Sequence, residues 1–185
     1  MAEANMVWVD MEFTGLNLDE DVILEIASVI TDSELNVLAE GPVLAVKQSE
    51  NLLEGMDEWN TKQHNLSGLV ERVRKSSETV ESAQEKTLDF IKRHCGKGES
   101  PLCGNSVHVD RYYMRKHMPK LESYLNYRNI DVTAVKLLAK RWYPGVPEYE
   151  KSNNHLALSD IYESIKELEY YRERIFRNPD SSCRI

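Results

Sequence analysis

Two acidic side chains near the amino terminus have a spacing that suits metal binding. Asp10 and Glu12 lie in the segment VWVDMEFTGL, residues 7–16, in which apolar residues alternate with others. Because successive side chains of a β-strand point to opposite faces, this segment predicts a strand with both carboxylates on one face. Neighbouring carboxylates repel each other, and a bound divalent cation relieves that repulsion. The alternative interpretation is an acidic strand end that is simply exposed to water.

Three further residues with suitable chemistry lie far along the chain. Asp110 follows a short predicted strand at residues 102–106 and lies near the start of a helix. His155 and Asp160 lie near the beginning of the last predicted helix, at about residues 154–176. Successive helix residues are about 100° apart, so these two share no helix face and His155 belongs to the loop or first turn. Taken singly, Asp110 is typical of a helix cap and the other two of unrelated polar residues.

Four carboxylates and one imidazole in this order are typical of two-metal phosphoryl chemistry. Carboxylate oxygens hold two divalent ions about 4 Å apart, one activating a water molecule and the other stabilising the leaving oxygen. A histidine with a pKa near neutrality can accept the proton of that water. Each motif is weak alone, but the ordered set predicts a metal-dependent phosphodiester hydrolase.

The elements that must position these residues indicate an α/β fold. Residues 22–31 form an apolar, β-branched run typical of a central strand. Residues 35–47, broken at Gly41-Pro42, predict a third strand, so the first three strands form an antiparallel meander. Later strands connect through helices, which gives a mixed sheet of about five strands with flanking helices. Glu25 within the central strand is either paired, adjacent to a metal ligand, or at the rim of the sheet.

Helical spacing recurs in the middle of the chain. Residues 56–73 and 77–94 predict helices, and Thr79 can cap the second. Another helix is expected at residues 121–127. Trp59, near a helix start, is more typical of a core side chain than of a platform that stacks on bases.

Composition limits the class of protein. The 185 residues, 41% of them hydrophobic, suit a single domain. The formal net charge of −8 argues against strong electrostatic capture of long nucleic acids. Three cysteines without metal-ligand spacing predict reduced thiols in a cytoplasmic protein. No apolar run is long enough for a membrane span and no secretion signal is evident, so no membrane partner is expected.

Motifs along nearly the whole chain, from Met6 to Arg177, resemble those of the oligoribonuclease family. The matching segments are VDMEFTGL, LAEGP, MDEW, SGL, GNS, YR-x-x-DV, RWYP, H-x-A-L-x-D-I and ESIKELEYYR. This family is a branch of the 3′-to-5′ exonucleases known by four acidic residues and a histidine, the DEDDh pattern, and has the ribonuclease H-like fold. The resemblance implies one exonuclease domain over residues 1–185.

The resemblance also implies roles for particular residues. Two Mg²⁺ or Mn²⁺ ions would be bound, and His155 would be the general base. The implied metal ligands are Asp10, Glu12, Asp110 and Asp160.

The implied substrate is very short RNA, dinucleotides above all, which is cut from its 3′ end to nucleoside 5′-monophosphates. Leu16 would wedge against the bases and Trp59 would stack on one. The residues implied to close on the 5′ phosphate are His64, Ser106, Arg128 and Thr133. Tyr127 and Arg128 would reach across a homodimer interface.

Three alternatives remain open from the sequence. A trimming or proofreading exonuclease for longer strands would need an open, basic groove, which the net charge disfavours. A non-catalytic binding module would require the loss of at least one carboxylate, and all four are present. A general metal-dependent phosphatase or nucleotidase would use similar acids and ions.

Overall fold

A computed structural model describes residues 4–150 and 156–176 of the chain. The predicted general base His155 therefore lies outside the described residues, as does Asn154, the predicted start of the last helix.

The strands form one mixed sheet. They are β1 (Met6–Phe13), β2 (Ile23–Thr31), β3 (Val37–Glu40), β4 (Leu44–Ala45), β5 (Leu102–Gly104) and β6 (Asn129–Asp131). The main order is β3-β2-β1-β5-β6, and the two-residue β4 pairs with β2 to make a sixth strand. The first three strands are antiparallel, whereas β5 is parallel to both β1 and β6. The predicted α/β fold with an antiparallel start is confirmed.

Helices flank the sheet. They are α1 (Glu50–Glu54), α2 (Glu58–Leu66), α3 (Leu69–Lys75), α4 (Val80–Lys92), α5 (His108–His117), α6 (Pro119–Glu122), α7 (Val132–Trp142) and α8 (Ala157–Ile175). The predicted cap of α4 is confirmed, because the Thr79 hydroxyl accepts the Ser82 amide and the Ser82 hydroxyl accepts the Thr79 amide. None of the helices in the described ranges combines the length and hydropathy of a membrane span.

Some predicted boundaries were wrong. The helix expected at residues 121–127 is replaced by α6, because Pro119 occupies the first position of a helix that begins two residues earlier. The expected third strand begins at Val37, because Leu35 adopts a left-handed φ of 71° in the turn that precedes it. The short helix α1 was not expected at all.

Successive side chains of β1 point to opposite faces of the sheet and so belong to two separate core layers. Val7, Val9 and Met11 pack on the face covered by α4 and α5. Trp8 packs on the opposite face, with Ile161 and Ile165 of α8. Because strand side chains alternate, the acidic residues of β1 share the face of Trp8 and lie towards α8.

Candidate active site

Three carboxylates meet where β1 approaches the first turn of α8. One carboxylate oxygen from each of Asp10, Glu12 and Asp160 lies within 4.8 Å of the other two. The first pair comes from alternate positions of β1, whereas Asp160 is held by the packing of the α8 core face against the sheet. Glu12 and Asp160 are 148 residues apart in the sequence, and the packing of α8 on the sheet brings them together.

Glu12 lies in an environment that disfavours its charge. Burial raises its pKa to about 8, and the charges of Asp160 and Glu25 contribute in the same direction. Glu25 is opposite Glu12 in the β1–β2 register and is 1% exposed. Its carboxylate forms an ion pair with Arg72 of α3, which partly offsets the rise in the pKa of Glu12. Of the three interpretations of Glu25, the paired one is correct and the rim is excluded.

Asp110 belongs to the same region but makes a different contact. It is the third residue of α5, and its Oδ1 accepts the backbone N–H of Met11 at 3.0 Å. The helix-cap interpretation was wrong, because the N-cap position belongs to Val107. Burial is the main cause that raises the pKa of Asp110 to about 8. Asp110 thus lies beside the three-carboxylate group. Its hydrogen bond connects α5 to β1 at Met11, which lies between Asp10 and Glu12.

The donor set suits hard divalent cations. Carboxylate oxygens are the ligands that Mg²⁺ and Mn²⁺ prefer, and imidazole or thiolate ligands are absent from the described group. Glu12, which is half-buried, and Asp110, which is buried, have pKa values near 8 and also need a compensating cation when they ionise. The residues present therefore fit divalent ions of this kind.

A cleft of about 550 Å³ opens beside the acids. Its edge includes Leu16, with 73% of its surface exposed, and Trp59, with 58% exposed. The interpretation of Trp59 as a core residue was wrong. Two large apolar side chains suit the flat apolar part of a ligand, and divalent ions held by the carboxylates would be needed to bind an anionic part.

Hydrogen bonds hold the loop that presents Leu16. The Asp21 carboxylate accepts the Thr14 hydroxyl at 2.6 Å and the Asn17 amide at 2.8 Å. The Tyr113 hydroxyl of α5 donates to the Gly15 carbonyl at 3.2 Å. A Cβ at Gly15 would lie 2.5 Å from Asp21 Oδ2, so a larger residue there would displace the Asp21 carboxylate from these contacts. The exposed Leu16 therefore projects from a constrained loop.

Ser106 lines another side of the cleft, and Thr133 lies next to Ser106. The Ser106 amide donates to Thr133 Oγ1 at 2.9 Å, and the two hydroxyl oxygens are 3.1 Å apart. Asp131 Oδ1 accepts both backbone amides, at 3.0 Å from Ser106 and 2.9 Å from Thr133. Ser106 adopts a left-handed φ of 50°, which this double contact stabilises.

The remaining predicted substrate residues lie elsewhere. His64 is 2% exposed, and its Nε2 lies 2.9 Å from the Phe13 carbonyl oxygen. His64 supports the end of β1 in this chain, and its contact with the 5′ phosphate stays a prediction. Tyr127 is 72% exposed, with the Arg128 guanidinium 4.8 Å from its ring centroid. Neither residue lines the cleft within this chain.

Sequence reasoning missed two residues that organise the site. Arg72 gave no signal, because its partner Glu25 is 47 positions away on another element. Asn105 lines the cleft and binds α8 through its side chain. It was visible only as part of the GNS segment.

Comparison with solved structures defines the class of protein by its fold. Escherichia coli exonuclease I in complex with single-stranded DNA superimposes with a TM-score of 0.75 at 17% identity, covering 95% of this chain. The product-bound form of exonuclease I gives a TM-score of 0.70. This chain spans about two-fifths of those chains, 42% in the first case. The fold is the one seen in exonuclease I, and the predicted ribonuclease H-like fold is confirmed.

Sequence comparison is more specific. A family model described as an exonuclease matches residues 7–168. Oligoribonuclease of Pseudomonas aeruginosa is 52% identical over 94% of this chain and 97% of its own length. Oligoribonuclease of Alcanivorax borkumensis is 55% identical over 91% of this chain and 94% of its own length. The chain belongs to the oligoribonuclease family, and the resemblance inferred from the motifs is confirmed.

Proposed function

We propose that this protein is a 3′-to-5′ exoribonuclease that degrades very short RNA, dinucleotides above all, to nucleoside 5′-monophosphates. The observation that carries the proposal is the group of Asp10, Glu12 and Asp160 beside a cleft edged by exposed apolar side chains. Membership of a family whose relatives are named oligoribonuclease supports the direction and the substrate class.

The four acidic residues are proposed to hold two divalent ions, Mg²⁺ or Mn²⁺. Bound ions would activate a water nucleophile and stabilise the leaving oxygen. The protein contributes the alignment: β1 supplies two carboxylates, α8 supplies Asp160, and Asp110 would join after giving up or sharing its contact with the Met11 amide. His155 is proposed as the general base, a role that rests on the family resemblance and on its position five residues before Asp160.

The residues that line the cleft suit the binding of short, single-stranded substrates. Trp59 offers a flat surface on which a base can stack, and Leu16 can wedge against the neighbouring base. Ser106 and Thr133 are proposed to contact the 5′ phosphate. A site closed at that end excludes longer strands by length alone, which agrees with the net charge of −8.

A homodimer completes the proposed site. Tyr127 and Arg128 lie on the surface and outside the cleft of their own chain, so a partner chain is needed to bring them to a substrate. The exposed apolar residues Leu137, Leu138 and Trp142 of α7 supply surface for such an association. The proposal also includes one exonuclease domain over residues 1–185 and a cytoplasmic location. Buried free thiols at Cys95 and Cys103 are compatible with a reducing compartment.

The experiment that tests this function compares 5′-phosphorylated RNA of two, five and twenty nucleotides with Mg²⁺ or Mn²⁺ present, following release of the 3′ nucleotide. A steep preference for the dinucleotide, lost in EDTA, is the expected result. Equal or faster cutting of the longest strand would contradict the closed end and favour a trimming exonuclease. Absence of 3′ release from every substrate would contradict nuclease function altogether.

A further inference from the structure

The guanidinium group of Arg111 in α5 is buried against the turn that precedes β6. Its Nη1 donates to the Tyr127 carbonyl oxygen at 2.6 Å and to Asn129 Oδ1 at 2.7 Å. The same nitrogen lies 3.4 Å from the Arg128 carbonyl oxygen, and Nη2 donates to the Asn126 carbonyl oxygen. One buried cation therefore binds three consecutive carbonyl groups of the turn.

The chemistry of arginine makes these contacts informative. A buried charge is costly unless an opposite charge and hydrogen-bond partners compensate for the lost solvation. Glu122 supplies the opposite charge, with its Oε1 3.4 Å from Arg111 Nε. Because the N–H donors of a guanidinium are held in one rigid plane, binding several carbonyl groups fixes the orientation of several peptide groups at once. The conformation of this turn therefore depends on Arg111.

The side chains of the same turn are directed to the surface. The carbonyl groups point inward to Arg111, and the side chains of Tyr127 and Arg128 are exposed. Within the described residues, Arg111 is the only side chain that binds the Tyr127 carbonyl group. Tyr127 and Arg128 are the residues proposed to reach the cleft of a partner chain. Arg111 thus supports the backbone that presents both of them.

The residue that precedes Arg111 in α5 contacts a different part of the molecule. Asp110 Oδ1 accepts the Met11 amide, and Asp110 lines the cleft of its own chain. Successive residues of a helix point about 100° apart, so the two neighbours can serve two different places. The first turn of α5 therefore joins the acids of one site to the residues that would complete the other site of a dimer.

We propose that Arg111 is a positioning residue that acts in trans, by holding Tyr127 and Arg128 in the conformation that completes the active site of the partner chain. The inference rests on the proposed function, because it requires a homodimer in which these two side chains cross the interface. It predicts that a change at Arg111 impairs the site that contains the partner's acids and spares the site that contains the acids of its own chain.

The test uses Arg111→Lys, which keeps the buried positive charge but replaces the planar fork with a single ammonium group. Steady-state turnover of a dinucleotide is measured with Mg²⁺ or Mn²⁺ present. The homodimer of this variant should keep its native circular dichroism and its Mn²⁺ binding, while KM rises roughly ten-fold. Arg115→Met is the matched control, because Arg115 is an exposed residue of the same helix that pairs with the same Glu122. It should keep the wild-type KM.

Co-expression separates the role in trans from a structural role within one chain, with activity measured below KM. Arg111→Lys with Asp10→Asn should restore roughly a quarter of wild-type activity, because one site of each mixed dimer has intact acids and an intact turn. Arg111→Lys with Arg128→Ala should restore nothing beyond the separate variants, since both changes damage the turn. A structural defect confined to the chain that carries Arg111→Lys predicts the opposite result for both pairs.

Any other combination of results for the two pairs would overturn the inference, as would a wild-type KM for the Arg111→Lys homodimer. Arg128→Ala with Asp10→Asn is the reference pair. If that pair restores no activity, the shared site of the proposed function is contradicted and the inference with it. If it restores activity and the Arg111→Lys pairs fail, the inference alone is contradicted.

A second variant decides the question if circular dichroism shows that Arg111→Lys is unfolded. Asn129→Ala removes one acceptor of the same guanidinium at an exposed position. It should raise KM and give the same two co-expression results, with restoration by Asp10→Asn and none by Arg128→Ala. A wild-type KM or the opposite pattern for Asn129→Ala would overturn the inference.

Discussion

Burial controls the ionisation of the two acids that β1 and α5 bring to the site. It is the largest cause of the raised pKa of both Glu12 and Asp110, about 8 in each case. In the metal-free protein the protonated forms are therefore favoured near neutrality. A divalent cation reverses this preference, because its charge stabilises the carboxylates that burial destabilises.

The pH dependence of stability should report the raised pKa of Glu12. The folded protein holds this proton up to about pH 8, whereas the unfolded chain releases it near pH 4.5. Between these values the unfolded state binds fewer protons, so the metal-free protein should become less stable as pH rises. Thermal unfolding in EDTA across that window checks this, with a flatter profile expected for Glu12→Gln. Excess Mn²⁺ should restore stability at the alkaline end, and an equally steep profile in the variant would contradict the assignment.

Trp59 is expected to contribute to substrate binding by stacking. Base stacking on an aromatic side chain is worth about 1–3 kcal/mol, so Trp59→Ala should raise KM for a dinucleotide by roughly ten-fold or more. Trp59→Phe keeps a flat ring and should lose less. Steady-state kinetics on the two variants distinguish stacking from packing, since equal KM values for the wild type and Trp59→Ala would remove the residue from the site.

The elements of the site differ in how far their roles could be predicted. The period-two pattern of β1 is visible in the sequence, so the shared face of Asp10 and Glu12 was predictable. The approach of Asp160 depends on how α8 packs across the sheet, which no local pattern encodes, and it was inferred from the ordered set of acids and from the family motifs. The exposure of Trp59 was also hidden, because a tryptophan on a polar helix is compatible with either environment.

Pairing between distant elements was the least predictable part. Glu25 was expected to have a partner, but a carboxylate in β2 carries no information about which cation on which helix will reach it. The left-handed φ of Ser106 and Leu35 escaped prediction as well, because neither is a glycine or asparagine.

The link between α3 and β2 should be important for stability. Arg72→Met leaves the 1% exposed Glu25 without its ion-pair partner, opposite Glu12 in the sheet. Removing one member of a fully buried pair costs about 3–5 kcal/mol. Because the Arg72 side chain is 39% exposed, the loss should be smaller than that, and Arg72→Met combined with Glu25→Gln should recover much of it. Urea unfolding measures the change. Arg74→Met on the same helix breaks the exposed pair with Glu50 and should cost far less, because solvent screens this pair; equal losses in the two variants would contradict this account.

At the scale of the whole molecule, the proposed site is shared between two chains. The acids and the apolar edge of the cleft belong to one chain, while Tyr127 and Arg128 lie outside that cleft. A symmetric dimer would give each site the partner's copy of these residues. The proposed homodimer would make activity on dinucleotides depend on association, although the four acids belong to one chain.

Mixing two inactive variants tests that dependence. Arg128→Ala keeps the acids and Asp10→Asn keeps the arginine, so each alone should be nearly inactive on a dinucleotide. Random heterodimers contain one site with intact acids and an intact partner arginine, so co-expression should restore roughly a quarter of wild-type activity. Activity no higher than that of the separate variants would contradict a shared site.

The central claim is that the acidic residues of β1, α5 and α8 bind divalent ions, and direct titration of the metal-free protein with Mn²⁺ tests it. Isothermal calorimetry, or the loss of the free Mn²⁺ paramagnetic resonance signal, should reveal saturable binding of two ions per chain. Asp10→Asn should lose this binding while its circular dichroism stays native, and Asp89→Asn, an exposed acid of α4, should keep it. Binding by Asp10→Asn equal to that of the wild type, or no binding by the wild type, would contradict the account.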